Sequence, residues 1–103
     1  QLAISSENTP PEKFRLHQNY PNPFNPVTNI SYYLIEKSFV KFTIYDLLGN
    51  VVNNLVNTNQ LSGYKTIQWN ATNNEVKPVS AGAYLYSIDT GEYRQTRKMV
   101  LLK

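Results

Sequence analysis

From residue 28 to residue 103 the chain repeats with a period of two, and that property constrains its fold more than any other. In Phe39–Tyr45, Val40, Phe42 and Ile44 fall on one side, while Lys41, Thr43 and Tyr45 fall on the other. Successive side chains of a strand point to opposite faces, so such alternation builds one apolar and one polar face, as in an antiparallel sheet wetted on one side. Thr28–Leu34 behaves the same way, with Ile30, Tyr32 and Leu34 set against Asn29, Ser31 and Tyr33. Val51–Val56 is a weaker run, diluted by Asn53 and Asn54. Tyr64–Trp69 aligns Lys65, Ile67 and Trp69, with burial expected at the last two. Ala83–Asp89 places Tyr84, Tyr86 and Ile88 on one face, and Tyr93–Lys103 closes the chain. Between these runs lie turn signals: Asp46–Asn50 with Gly49 available for positive φ, Gln60–Gly63, the polar stretch Asn70–Pro78, and Thr90-Gly91-Glu92. No segment of helical period is long enough to compete. The expectation is an all-β chain, an antiparallel immunoglobulin-like β-sandwich of about seven strands.

Upstream, Phe14–Gln18 alternates briefly and reads as a short edge strand. It is followed by Asn19-Tyr20-Pro21-Asn22-Pro23-Phe24-Asn25-Pro26. Each proline fixes φ, disfavours helix at the residue before it and lacks an N–H. The segment is therefore extended, stiff and excluded from the middle of a sheet. Tyr20 and Phe24 are expected to seal one end of the core. Residues 1–13 carry Pro10-Pro11 and no sustained period, and read as a linker from an upstream domain. Residues 14–103 then form the domain.

The inventory of side chains is poor in chemistry. There is no cysteine, so neither a disulfide nor a thiolate metal site is available. There is one histidine, His17, and no glycine-rich phosphate loop. Asp46, Glu75 and Asp89 are separated by turns and form no evident carboxylate pair. No catalytic residues are expected, and no cofactor. Asp46/Asn50 and Asn70/Asn73/Glu75 are oxygen-rich but lack EF-hand spacing, so no metal is expected either. The net charge is +3, and six of the ten Lys and Arg residues are scattered between residues 13 and 77, which does not make the dense basic face of a nucleic-acid binder. No run reaches the roughly 20 apolar residues of a membrane helix.

The other four basic residues lie in Arg94–Lys103, where there is no acid. Here Arg97, Met99 and Leu101 share one face, and Lys98, Val100 and Leu102 share the other, with Lys103 last. Charges on an edge strand often serve only to keep it solvated. The alternative is recognition, in which a partner adds a strand by backbone pairing and reads the side chains in pockets. Gly82 reads as a turn glycine before a strand, and Tyr84 as an inward ring with its hydroxyl at the rim.

These stretches together carry a resemblance. Asn19–Pro26 followed by Thr28-Asn29-Ile30, then Ile44–Val52, Gly63–Trp69, Ala81–Tyr86 and Lys98–Lys103, in that order, resemble type A C-terminal sorting domains of the type IX secretion system of Bacteroidetes. The chain departs from the usual pattern in the loop after Trp69 and in the order Ser80-Ala81 before Gly82. The middle motifs are also similar to the immunoglobulin-like domain of flagellar hook-capping proteins. The resemblance implies a secretion address for an upstream cargo, recognised by the outer-membrane translocon and shuttle proteins. It also implies removal by a sortase-like peptidase, with release of the cargo or its attachment to lipopolysaccharide. The cargo would be secreted or held at the cell surface after passing through the periplasm of a Gram-negative bacterium. Cleavage would fall near the domain's N-terminal boundary, which makes residues 1–13 the place to look for the bond. The signal-bearing residues would be Arg97–Lys103 with Gly82 and Tyr84. A competing reading is a retained adhesive or carbohydrate-binding module using exposed tyrosines such as Tyr33, Tyr45 and Tyr93. A further one is self-association through an exposed terminal edge strand.

Overall fold

The computed structural model describes residues 14–103, which form seven strands and no helix. The strands are β1 (Arg15–Leu16), β2 (Thr28–Leu34), β3 (Ser38–Asp46), β4 (Val51–Gln60), β5 (Gly63–Trp69), β6 (Gly82–Asp89) and β7 (Arg94–Leu101). They pair antiparallel in two sheets, ordered β1-β2-β5 and β4-β3-β6-β7. This is the expected sandwich. The expected linker, residues 1–13, lies outside the described residues.

The alternation in sequence becomes the core directly. Ile30, Tyr32 and Leu34 of β2 face Val40, Phe42 and Ile44 of β3 and Tyr86 and Ile88 of β6, all buried. Each apolar side chain removed from water in this way contributes about 1.5–3 kcal/mol. The Tyr32 and Phe42 rings meet between the sheets at 5.7 Å, and Phe42 stacks on Tyr86 at 5.9 Å. The buried phenols keep polar partners: Tyr32 donates to Gln60 Oε1, and Tyr86 bonds to the backbone around residue 18.

Three local expectations are corrected. β4 runs on to Gln60, past the predicted end at Val56. Its asparagines are fasteners for the loop beside it: Asn53 Nδ2 donates to Thr72 O, and the Asn54 N–H to Asn74 Oδ1. Two register shifts against β3 let the strand continue past them. Ile67 is only partly buried, because β5 is a sheet edge and its middle lies at the margin of the core. Tyr20 does not seal the sandwich: it is 79% exposed, whereas Phe24 is 2% exposed and does. Asn19 takes the inward place beside Tyr20, its amide donating to Pro21 O and Thr28 Oγ1.

Candidate functional site: the C-terminal strand and its seat

β7 is an edge strand of the four-stranded sheet, and its two faces have different fates. Met99 and Leu101 point inward and are fully buried, whereas Lys98, Leu102 and Lys103 are exposed and Val100 is half-buried. The division into two faces is as the sequence predicts. Gly82 lies opposite Leu101, and Tyr84 opposite Met99 and beside Asp46 of β3. Beneath them three rings pack in series, Phe24 on Trp69 at 5.8 Å and Trp69 on Tyr84 at 5.5 Å. Trp69 Nε1 donates to Thr72 O at 2.8 Å, and the Tyr84 hydroxyl donates to Ser80 O. The proline-rich segment, the Asp46 turn, Trp69, Gly82-Ala83-Tyr84 and the C-terminal residues, far apart in sequence, thus converge on one end of the sandwich.

The expectation of an open β7 edge is corrected. Phe24 makes a parallel bridge to Leu101: its N–H donates to Val100 O at 3.0 Å, and its carbonyl accepts from the Leu102 N–H at 2.8 Å. The Val100 N–H donates to Asn22 Oδ1 at 3.0 Å, and Gln18 Nε2 donates to Lys98 O at 2.9 Å. The proline-rich segment, barred from a sheet interior, pairs Tyr20 with Asn29 of β2 and caps the β7 edge with one residue pair and the Asn22 amide, to which Gln18 just before it adds a second. Toward the start of β7 the stitching passes between the sheets. The Leu16 N–H donates to Gln95 Oε1, and Arg97 Nε donates to Leu16 O at 2.8 Å. The Tyr86 hydroxyl accepts from the Asn19 N–H at 2.9 Å and donates to His17 O at 2.8 Å. Nothing in the local sequence marks Gln18, Asn22 or Gln95 for these bonds. Their partners lie about eighty residues away, at separations of 80, 78 and 79, and local pattern says nothing of contacts that distant.

Electrostatics at this end are those of structure. Burial pushes the Tyr84 phenol above its ordinary pKa, with the nearby Asp46 charge adding to the effect. Burial likewise raises Tyr86, offset in part by its bond to Asn19 and by the Arg97 charge. Asp46 is held below the usual carboxylate range, first by the Asn50 N–H and then by the Asn50 side chain. Its oxygens accept from Leu48 N, Asn50 N and Asn50 Nδ2, closing the turn around Gly49. Gly82, at φ +147°, occupies backbone space that favours glycine. Among the described residues no three His, Cys, Asp or Glu side chains gather in a metal-binding group. Tyr33, Tyr45 and Tyr93 do not meet on one surface: Tyr33 packs against Tyr64 on the smaller sheet, Tyr45 lies on the larger, and Tyr93 stacks on Phe14.

Residues 18–102 match the family described as the secretion system C-terminal sorting domain. This chain belongs to that family. The sorting domain is a signal of the type IX secretion system and is not itself catalytic; the protein that bears it is secreted or displayed at the cell surface. Among solved structures, the fold is similar to part of dimeric latent PorU from Porphyromonas gingivalis, with a TM-score of 0.67 at 19% identity, over 86% of this chain and 9% of that one. It is similar to part of PorZ, an essential surface component of the type IX system of the same organism, with a TM-score of 0.58 at 17% identity, over 85% of this chain and 11% of that one. FlgD from P. aeruginosa shares it at a TM-score of 0.57 and 18% identity, over 85% of this chain and 70% of that one. The sorting domain therefore spans about a tenth of the first two. No curated protein matches its sequence.

Proposed function

We propose that the domain hands an attached upstream cargo, delivered to the periplasm by its own N-terminal signal, to the outer-membrane translocon of the type IX system through its shuttle proteins. A sortase-like peptidase then cleaves within residues 1–13, and the cargo is released or joined to lipopolysaccharide. The observation that carries this reading is the seating of the C-terminal strand. Four separate stretches of sequence that carry the family resemblance converge on the fifth, Lys98–Lys103, and seat it at one end of the sandwich. Arg97, Lys98, Val100, Leu102 and Lys103 are accessible to a partner, and Met99, Leu101, Gly82 and Tyr84 hold them in place.

The test is truncation in two lengths, with the chain fused behind a periplasmic reporter in a host that has the type IX machinery. Removing Lys98–Lys103 takes Met99 and Leu101 out of the core as well as the signal, whereas removing Leu102 and Lys103 leaves the core intact and takes two exposed side chains with the Leu102 N–H bond to Phe24 O. The full chain should reach the surface, and both truncations should leave the reporter in the periplasm. Equal delivery of all three would contradict the placing of the signal on the terminal strand.

A further inference from the structure

The inner face of β7 is taken up by the core and the C-terminal half of its edge by the proline-rich segment, which leaves the outward face for recognition. On that face, register places Val51, Tyr45, Leu85 and Lys98 in one row across the four strands, and Ala83 beside Val100 in the next. Leu102 continues the outward series past the end of β7 and is 51% exposed, and Val51 is 53% exposed. Facing side chains on adjacent strands stand about 4.5–5.5 Å apart at Cβ. The apolar side chains therefore form a continuous strip, about 14 Å across from β4 to β7 at ordinary strand spacing. Farther along, the same face turns polar, first with Asn54, Thr43, Ser87 and Thr96, then with Asn57, Lys41, Asp89 and Arg94. The continuous apolar strip thus lies at the end that holds the C-terminus, with Phe39, 45% exposed, standing apart at the far end of the same face, and every member of the strip points away from the core.

Lys98 and Lys103 flank the strip and, among the described residues, form no ion pair. Of the acids at this end, Asp46 has its carboxylate engaged by its own turn, and Glu75, in the loop fastened to β4, pairs with Lys77 at 3.7 Å. We propose that this strip is the surface on which the sorting domain is read. Its partner is a protein of the secretion machinery presenting an apolar patch edged with carboxylates. The proposal rests on the sorting function above and adds where and how the signal is recognised: by side chains on a sheet face, with β7 keeping its cis-bound edge. A second copy of the chain suits the surface poorly. Symmetric pairing sets the same patch against itself, and the basic flanks of both copies would share one interface.

The test uses the full chain behind the periplasmic reporter, with three variants. Leu85→Lys places a charge at the centre of the strip, and Lys98→Glu/Lys103→Glu reverses its flank. Thr96→Pro removes an outward N–H from the part of the β7 edge that is still open, which blocks strand addition there. The melting transition of each purified variant is compared with the parent's. The first two variants, folded, should lose about tenfold or more of surface delivery, the effect of losing one anchor of an interface, while Thr96→Pro should be delivered normally. Parent-like delivery of folded Lys98→Glu/Lys103→Glu would overturn the proposal. So would loss of delivery in Thr96→Pro alone, which would mean that the edge is read. A parent dimer dissolved by Leu85→Lys in sedimentation would overturn it by making the strip a self-interface. Failure of the parent fusion to be delivered at all would instead sink the sorting function, and this proposal with it.

Discussion

Tyr86→Phe isolates one atom that ties the two sheets together. The Tyr86 ring is wholly buried, and its hydroxyl bonds both the Asn19 N–H and the His17 carbonyl. Phenylalanine keeps the ring and its stacking on Phe42 but leaves both backbone groups without that partner. Asn19 is itself 2% exposed, so little water reaches its N–H. An orphaned buried donor costs about 1–3 kcal/mol, and a more accessible hydrogen bond contributes about 0.5–1.5 kcal/mol. The loss should therefore be about 2–3 kcal/mol, out of the 5–15 kcal/mol by which a domain is ordinarily stable. Urea unfolding of the two proteins measures it, as a lower midpoint with an unchanged slope. Tyr45→Phe, on the outer face, is the control and should stay within about 0.5 kcal/mol of the parent. A loss at Tyr86 no larger than at Tyr45 would refute the view that this hydroxyl fastens the chain beside the proline-rich segment.

Phe24→Ala should cost about 3–5 kcal/mol, since it empties a buried site against Trp69; amide exchange should report Val100 and Leu102 losing protection ahead of β2. Gly82→Ala should cost about 1–3 kcal/mol through backbone strain alone, because φ is +147° and an added Cβ meets no atom within 4 Å; calorimetry measures it. The raised pKa values of Tyr32, Tyr84 and Tyr86 predict stability that is fully present below the unfolded tyrosine pKa of about 10 and lost as pH rises through the folded values. Urea midpoints at about pH 9 and about pH 11, followed with tyrosinate absorbance, should show the fall; it should shrink in Tyr84→Phe.

The sandwich was legible because its strands alternate cleanly. Val40, Phe42 and Ile44, or Tyr84, Tyr86 and Ile88, announce both their strand and its buried side, and the structure buries them all. What could not be read was which strand edges are covered. The proline spacing excludes Asn19–Pro26 from a sheet interior, but nothing local says that Phe24 will bridge Leu101 or that Asn22 will reach Val100. Tyr20 and Phe24 are equivalent in sequence, two aromatics each beside proline, and only tertiary packing sends one inward and the other into water. The candidate strand stands out by its basic, acid-free composition. That Tyr45, Val51 and Leu85 are its outward apolar neighbours is not legible there, since they join it only through strand order.

The central claim is that this folded domain is an address, and surface delivery measures it most directly. A reporter carrying the full chain, expressed in a host with the type IX translocon and in a sibling lacking it, should appear on the surface of the first and remain in the periplasm of the second. A reporter that reaches the surface equally in both, or in neither, would contradict the account.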